Sequence, residues 1–239
     1  MTEGDDNKYY VNYSNARPWT LDEPNLYSIR AELLDASGAV TDEKTVRFGF
    51  RTAEFRRGGF YLNGERVFLR GLNRHQCYPY MGYAAPEALQ REDARILKEE
   101  LCCTAVRTSH YPQSRHFIDA CDELGLLVFT ELPGWQHIGD AAWKRRSVEN
   151  VREMVTQYRN HPSIVIVSSI NESWGIEGVH CSTPWKNELR YQFLRRSAER
   201  VKALNPQVLV CDNSGFGKTE ACEINDFHLY PSDYFEARK

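Results

Sequence analysis

Residues 163–175 read SIVIVSSINESWG. Ile164, Val165, Ile166 and Val167 are an unbroken β-branched apolar run, which suits a strand covered on both faces, as in a parallel sheet. The run stops at Asn171 and Glu172, with Trp174 just beyond. An amide, a carboxylate and an aromatic ring at the end of so apolar a strand place polar chemistry at its C-terminal end.

The same rhythm recurs on both sides. TAVRTS (104–109), LLVFTE (126–131), VLVCD (208–212) and INDFHLY (224–230) are further short strands. Between them fall helical patterns. Pro86 opens one, with Leu89, Ile96, Leu97 and Leu101 near one face. Phe117, Ile118, Cys121 and Leu124 mark the second, with Gly125 at its C′ position. Val148, Val151, Val155 and Tyr158 mark the third, and Leu189, Phe193, Leu194, Val201 and Leu204 a fourth that Asn205-Pro206 stops. Alternating strands and helices argue for a parallel sheet covered by helices. No glycine-rich phosphate loop follows the early strands, which disfavours a nucleotide-binding sheet.

Upstream the period changes to two. In residues 26–50, Ile29, Ala31 and Leu33, then Val46, Phe48 and Phe50, alternate with polar residues around the turn DASGA (35–39). That predicts half-buried antiparallel strands, as in a sandwich. A second hairpin, GGFYLNGERVFLRG (58–71), turns at Asn63-Gly64 in type I′ geometry.

The composition excludes several classes. The 239-residue chain is 41% hydrophobic and 26% charged, enough apolar content for a globular core. A net charge of −3 with intermixed Lys and Arg leaves no basic stripe for nucleic acid. No apolar run approaches the roughly 20 residues of a membrane span, and the acidic start MTEGDDNKYYVNY is no secretory signal. Seven cysteines without a C-x-x-C pair read as buried thiols of a cytoplasmic protein rather than disulfides or a metal site.

The strand ends RGLNRH, RTSHYP, TELPGW, INESWG, CDNSG and DFHLYP gather carboxylates, imidazoles, amides and rings. In a (β/α)₈ barrel those ends build the active site. Arg107, inside a strand, needs an acidic partner. Metal-ligand spacing and a Ser-His-Asp elbow are both missing, which counts against a metal-dependent hydrolase. Singly, Glu172, His75 and His110 also fit structural roles. Together they suit sugar chemistry: carboxylates for proton transfer, polar groups for hydroxyls, rings for stacking.

FYLNGERVFLRGLNRH (60–75), AVRTSHYP (105–112), CDELGLLVFTELP (121–133), RNHPSIVIVSSINESWG (159–175) and DFHLY (226–230) resemble the family 2 glycoside hydrolases, which include β-galactosidases and β-glucuronidases. EPNLYSIRAELL (23–34) and VRFGFRTAEF (46–55) resemble the end of that family's immunoglobulin-like sandwich. The resemblance runs from Trp19 to Tyr230. It implies a sandwich remnant over residues 1–54 and an incomplete TIM barrel of about six units over 55–239. It further implies a retaining exo-β-glycosidase, foremost a β-galactosidase. β-Glucuronidase activity, or a sugar-binding remnant without turnover, is the alternative.

By the same resemblance Glu172 is the general acid/base, Asn171 holds the sugar 2-hydroxyl, and Arg107 supports the nucleophile. His75 and His110 are pocket histidines, His228 and Tyr230 lie near the nucleophile, and Trp135 and Trp174 are stacking rings. Glu131 matches a residue that ligates magnesium in β-galactosidases together with a histidine two positions on. Pro133 stands there instead, so Glu131 is assigned to the substrate pocket and no metal or cofactor is expected. The family nucleophile, a glutamate ending the seventh strand, has no equivalent: Glu177 and Glu188 follow too soon, and Glu220, Glu223 and Glu236 lack the context. A β-glycoside is the expected partner, with a second copy or a complementing chain beside it.

Overall fold

The computed structural model describes residues 2–3, 9–136, 138–173, 188–215 and 218–229, with side chains from residue 11 and, in the last helix, from residue 191. Two short strands, β1 (Thr2–Glu3) and β2 (Tyr9–Tyr10), pair antiparallel. The hairpin expected over 26–50 forms as β3 (Tyr27–Leu34) and β4 (Val40–Phe48), in register Tyr27↔Phe48 to Leu34↔Val40. Its half-burial is not realised: Ile29, Leu33, Leu34 and Val40 are exposed. The alternating face is present, but among the described residues only the Tyr27 end is covered, by Tyr13, Phe48 and Phe50 at ring distances of 5.3–6.0 Å.

Three strands follow, β5 (Ala53–Arg56), β6 (Gly59–Leu62) and β7 (Glu65–Val67), in one antiparallel sheet. β5 runs across residue 54, the expected domain boundary. Asn63 and Gly64 turn β6 into β7 with φ of 52° and 84°, both left-handed as a type I′ turn requires. This small sheet closes one end of the main one. Phe60 and Leu62 pack with Trp19, Leu127, Val165, Ile166 and Leu209.

The main sheet is parallel and five-stranded, in sequential order: β8 (Gly71–Arg74), β9 (Ala105–Thr108), β10 (Leu127–Glu131), β11 (Ile164–Ser168) and β12 (Leu209–Cys211). Between successive strands run α1 (Glu87–Arg95) continued by a π-helical turn (Ile96–Glu100), α2 (Arg115–Leu124), α3 (Ala141–Tyr158) and α4 (Glu188–Leu204). Strand–helix–strand crossovers between neighbouring parallel strands are the repeating unit of a TIM barrel. The fold is therefore an incomplete α/β barrel preceded by a sandwich remnant.

Alternation along the strands decides what faces where. Val106, Val128 and Val167 meet Phe117, Ile118, Cys121, Val151, Val155, Tyr158 and Val201 of the helices. Leu127, Ile166 and Leu209 face the opposite way, into the barrel. β11 is buried at every residue, as its unbroken apolar run requires. Gly125 caps α2 with φ 72°, the left-handed C′ conformation expected of it. Leu101, just past the π-helical turn, and Val148, midway along α3, are placed on core faces by helical spacing but are exposed.

The sixth strand expected over INDFHLY is not seen among the described residues. Residues 224–229 run without a ladder, and Tyr230 lies outside the described part. The reason is local. The Val210 amide, which a sixth strand would use, is taken by the Glu223 carboxylate at 3.0 Å, leaving one backbone bond, Glu223 N to Val210 O at 2.9 Å. No helix of the described residues is long and apolar enough to cross a membrane.

Candidate active site

The C-terminal ends of β9, β10, β11 and β12 meet at one mouth. Their backbones stay paired after the strands end. Gln136 donates to Asn171 O at 2.8 Å, Glu172 to Ser214 O at 2.9 Å, and Ser214 to Ile170 O at 2.9 Å. This stitching fixes three strand-end turns against each other. Two residues in them adopt left-handed backbone, Gln136 at φ 63° and Glu172 at φ 48°. For residues with a Cβ that conformation costs about 1–3 kcal/mol, and it persists where surrounding contacts over-determine it.

Arg107 is the hub. Its Nη2 donates to Glu131 Oε2 at 2.8 Å and to Asn171 Oδ1 at 2.6 Å. The acidic partner that a strand arginine demanded is thus Glu131, which is fully buried. The other Glu131 oxygen lies 2.5 Å from His110 Nδ1. The His110 ring stacks on Trp135 with an interplanar angle of 13° and meets His75 edge-on at 5.3 Å. His75 is held below the ordinary histidine range, first by burial and then by His110, while Glu131 pulls the other way.

Glu172 is 6% exposed and held from two sides. Trp135 Nε1 donates to Oε2 at 3.3 Å, and His228 Nδ1 lies 2.5 Å from Oε1. Trp135 is itself 60% exposed, so a ring borders the carboxyl on the open side. His228 packs over Gly215, where φ is +83° and a Cβ would run into the imidazole. Its Nε2 lies 3.1 Å from Ser214 Oγ and 3.5 Å from Arg107 Nη1.

Seven of the sequence-derived positions, Glu172, Asn171, Arg107, Glu131, His110, His228 and Trp135, thus form one connected constellation, and His75 touches it through His110. His228 reaches Glu172 directly. Tyr230 and Trp174 lie outside the described residues. The sequence reading did not single out Ser214, Lys218 or Asp226. Ser214 sits in the strand end DNSG and Asp226 two residues before His228, and only folding brings them together.

A possible metal-ligand group, Asp119, Asp122 and His161, lies at the opposite end of the barrel. Its atoms are already engaged. Asp122 accepts from Ser163 N at 3.1 Å and faces His161 Nδ1 at 2.6 Å, while Arg47 donates to Asp119 at 3.1 Å. The donors fit a structural strut better than an ion.

The profile "Glycosyl hydrolases family 2, TIM barrel domain" matches residues 53–190, more than half of the chain, and "Glycosyl hydrolases family 2" matches residues 2–51. The chain belongs to glycosyl hydrolase family 2. Among curated family members, a β-galactosidase of Thermoanaerobacterium thermosulfurigenes is 54% identical over 163 residues, which are 68% of this chain and 22% of that protein. A putative β-glucuronidase of Formosa agariphila is 40% identical over 168 residues, 70% of this chain and 20% of that one. Among solved structures, β-glucuronidase of Parabacteroides merdae superposes with a TM-score of 0.74 at 28% identity, covering 87% of this chain and 25% of its own. A family 2 β-galacturonidase of Eisenbergiella tayi bound to galacturonate gives 0.75 at 29% identity, covering 85% and 35%. The chain therefore spans about a fifth of the length of these curated relatives.

Proposed function

We propose that this chain carries the acid/base half of a retaining exo-β-glycosidase site, with a terminal β-galactoside as substrate. The observation that carries the reading is Glu172: a nearly buried carboxyl at a barrel strand end, between an exposed tryptophan and a histidine. Such a group can hold a proton for the glycosidic oxygen and take one back from the attacking water. Asn171, oriented by Arg107, would present its amide NH₂ to the sugar, because its Oδ1 is used by the guanidinium. Trp135 would stack on the pyranose, and His75 and His110 would line the pocket beside it.

A retaining reaction needs a second carboxyl about 5–5.5 Å from the first. Both Glu131 oxygens are engaged by Arg107 and His110, which suits a positioning role better than nucleophilic attack. We assign the nucleophile to a part of the protein beyond the described residues and expect turnover only when that part is present. A β-galactoside is favoured because the relative at 54% identity is a β-galactosidase. A β-glucuronide is the second reading, favoured by the P. merdae likeness.

The test is Glu172→Gln in the complete enzyme, assayed on nitrophenyl and unactivated β-galactosides and β-glucuronides. The loss should be about 10²–10⁴-fold on poor leaving groups and small on activated aryl glycosides, with azide restoring turnover as a β-glycosyl azide. Equal losses on both substrate types without rescue would reject the role.

A further inference from the structure

Behind His228 lies a second layer of polar groups that the reading above does not use. Ser214 Oγ donates to Asp226 Oδ2 at 2.6 Å, and the Gly215 amide donates to Asp226 Oδ1 at 3.1 Å. Lys218 forms an ion pair with Asp226 and donates to the carbonyl of Asn213. Asn213 in turn accepts from Ser173 N at 2.9 Å, next in chain to Glu172. The layer is therefore tied to the acid/base residue through both the backbone and the His228 ring.

We propose that Asp226, acting through Ser214 and His228, is a positioning residue for Glu172: it fixes the ring proton of His228 on Nε2 and so leaves Nδ1 facing the Glu172 carboxyl. The inference rests on the acid/base reading of Glu172. Its argument is one of hydrogen counting. A serine hydroxyl has one hydrogen, and Asp226 takes it. What Ser214 presents to His228 Nε2 is therefore a lone pair, which calls for a hydrogen on Nε2, while Arg107 Nη1, a donor only and more distant at 3.5 Å, calls for the reverse more weakly. Asp226 Oδ2, 3.8 Å from Nε2, favours the same tautomer. Nδ1 is then left to share a single proton with Glu172 Oε1 across 2.5 Å. With the proton on Oε1, Glu172 is the neutral acid and His228 is neutral. With it on Nδ1, Glu172 is a carboxylate facing an imidazolium.

Asp226 can do this only if it stays ionised. Burial by itself would raise its carboxyl. Lys218, Ser214 and the Gly215 amide outweigh burial and hold it below the ordinary range. Among the described residues, the charged and titratable groups facing the relay include Arg107 and Glu172 on His228, and Lys218 and Cys211 on Asp226. Arg107 Nη1, at 3.5 Å, is the more distant contact of His228 Nε2. Fixing an imidazole tautomer through the far ring nitrogen is a general device of acid/base sites.

The test has two arms. In the 239-residue chain labelled with ¹⁵N-histidine, His228 is assigned by its loss in His228→Gln. The expected result is an Nε2–H ring in the wild type and a mixture of tautomers in Asp226→Asn and in Ser214→Ala. Ser214→Ala keeps the Lys218–Asp226 pair and guards against misfolding of the charge variant. Asp226→Glu should restore the wild-type tautomer in part. An Nδ1–H ring in the wild type, or an unchanged Nε2–H ring in both variants, overturns the proposal. In the complete enzyme, Asp226→Asn should lower kcat on unactivated glycosides by about 10–100-fold, the size known for outer hydrogen-bond partners of metal-bound histidines, shift the alkaline limb of the pH profile and leave KM nearly unchanged. An unmoved pH limb would also count against it. If the wild type hydrolyses no β-glycoside, the acid/base reading fails, while the tautomer still decides whether Asp226 controls His228.

Discussion

The two ends of the barrel hold nearly the same residue types in different employment. At the closed end stand Arg47, Arg51, Asp119, Asp122 and His161; at the mouth stand Arg107, Glu131, Glu172, His110 and His228. Arg51 donates to the carbonyls of Pro162 at 3.0 Å, Ile164 at 2.5 Å and Gln207 at 3.2 Å. Burial pulls its guanidinium down to about 10, so it remains charged at neutral pH. Asp122 serves Ser163 N, and its own carbonyl accepts from Trp19 Nε1 at 2.8 Å. These groups join chain segments. At the mouth the Arg107 fork meets side chains instead, Glu131 and Asn171, beside an exposed ring and two left-handed residues. Polar groups consumed by backbone make a strut; polar groups poised against each other at an open strand end make a site.

The largest effect should come from the strut. Asp122→Ala leaves Ser163 N and His161 without their partner in a buried setting. A hydrogen bond to a charged group is worth about 1.5–3 kcal/mol, so losing both should cost about 3–5 kcal/mol. Urea unfolding of the variant against the wild type measures this. A loss below about 1 kcal/mol would put the closed end among surface ion pairs, whose median value is about 0–1 kcal/mol, and would break the contrast.

Arg107→Lys tests the other side. A lysine keeps the charge but lacks the planar Nη2 group whose two hydrogens serve Glu131 and Asn171, and the Nη1 that faces His228. One hydrogen bond to a charged group is worth about 1.5–3 kcal/mol, or about 10–150-fold in kcat/KM of the complete enzyme. The loss should appear in kcat/KM more than in the unfolding midpoint. The reverse split would make Arg107 a strut like Arg51.

Most of the fold was legible because its signals are local. The β-branched run of β11, the turn at Asn63-Gly64 and the stop at Asn205-Pro206 each act over a few residues. INDFHLY misled because its apolar alternation resembles a strand, while the Glu223 carboxylate occupies the Val210 amide. The exposed face of β3–β4 misled because periodicity reports which residues share a face, not whether anything covers it. At the mouth, Glu172, Asn171 and Arg107 stood out as polar residues in or just after apolar strands. Ser214, Lys218 and Asp226 could not: a serine in DNSG and an aspartate in IND carry meaning only once Gly215 lets His228 lie over them.

A smaller effect is expected from backbone strain at the mouth. Gln136 sits at φ 63°. Left-handed backbone costs a residue with a Cβ about 1–2 kcal/mol, against about 0.5–1 kcal/mol for the extra unfolded-state freedom of glycine. Gln136→Gly should therefore raise stability slightly, by up to about 1.5 kcal/mol, while loosening the turn that carries Trp135. Differential unfolding together with the KM for aryl glycoside would show a stability gain with weaker binding. A stability loss above 1 kcal/mol would mean that the Gln136 side chain, and not the turn, is what matters.

The smallest effect lies in pH. His75 is lowered from its ordinary value of 6.5 because burial and His110 both oppose a second positive charge beside Arg107. The sign follows from linkage. The unfolded chain binds the proton more readily than the folded one, so the contribution of His75 is fully present above about pH 6.5 and is lost as pH falls through the lower folded value. Below that value the loss levels off. His75→Gln keeps a polar side chain but removes the titration. The urea midpoint of the wild type should therefore fall more steeply than that of the variant between about pH 7 and pH 5, and the two should run parallel above this range. Equal slopes would show that the mouth accepts a proton on His75 as readily as water does. A wild type that gains stability on acidification would mean that Glu131 outweighs burial there, making His75 a cation at the mouth and reversing the charge it offers an arriving sugar.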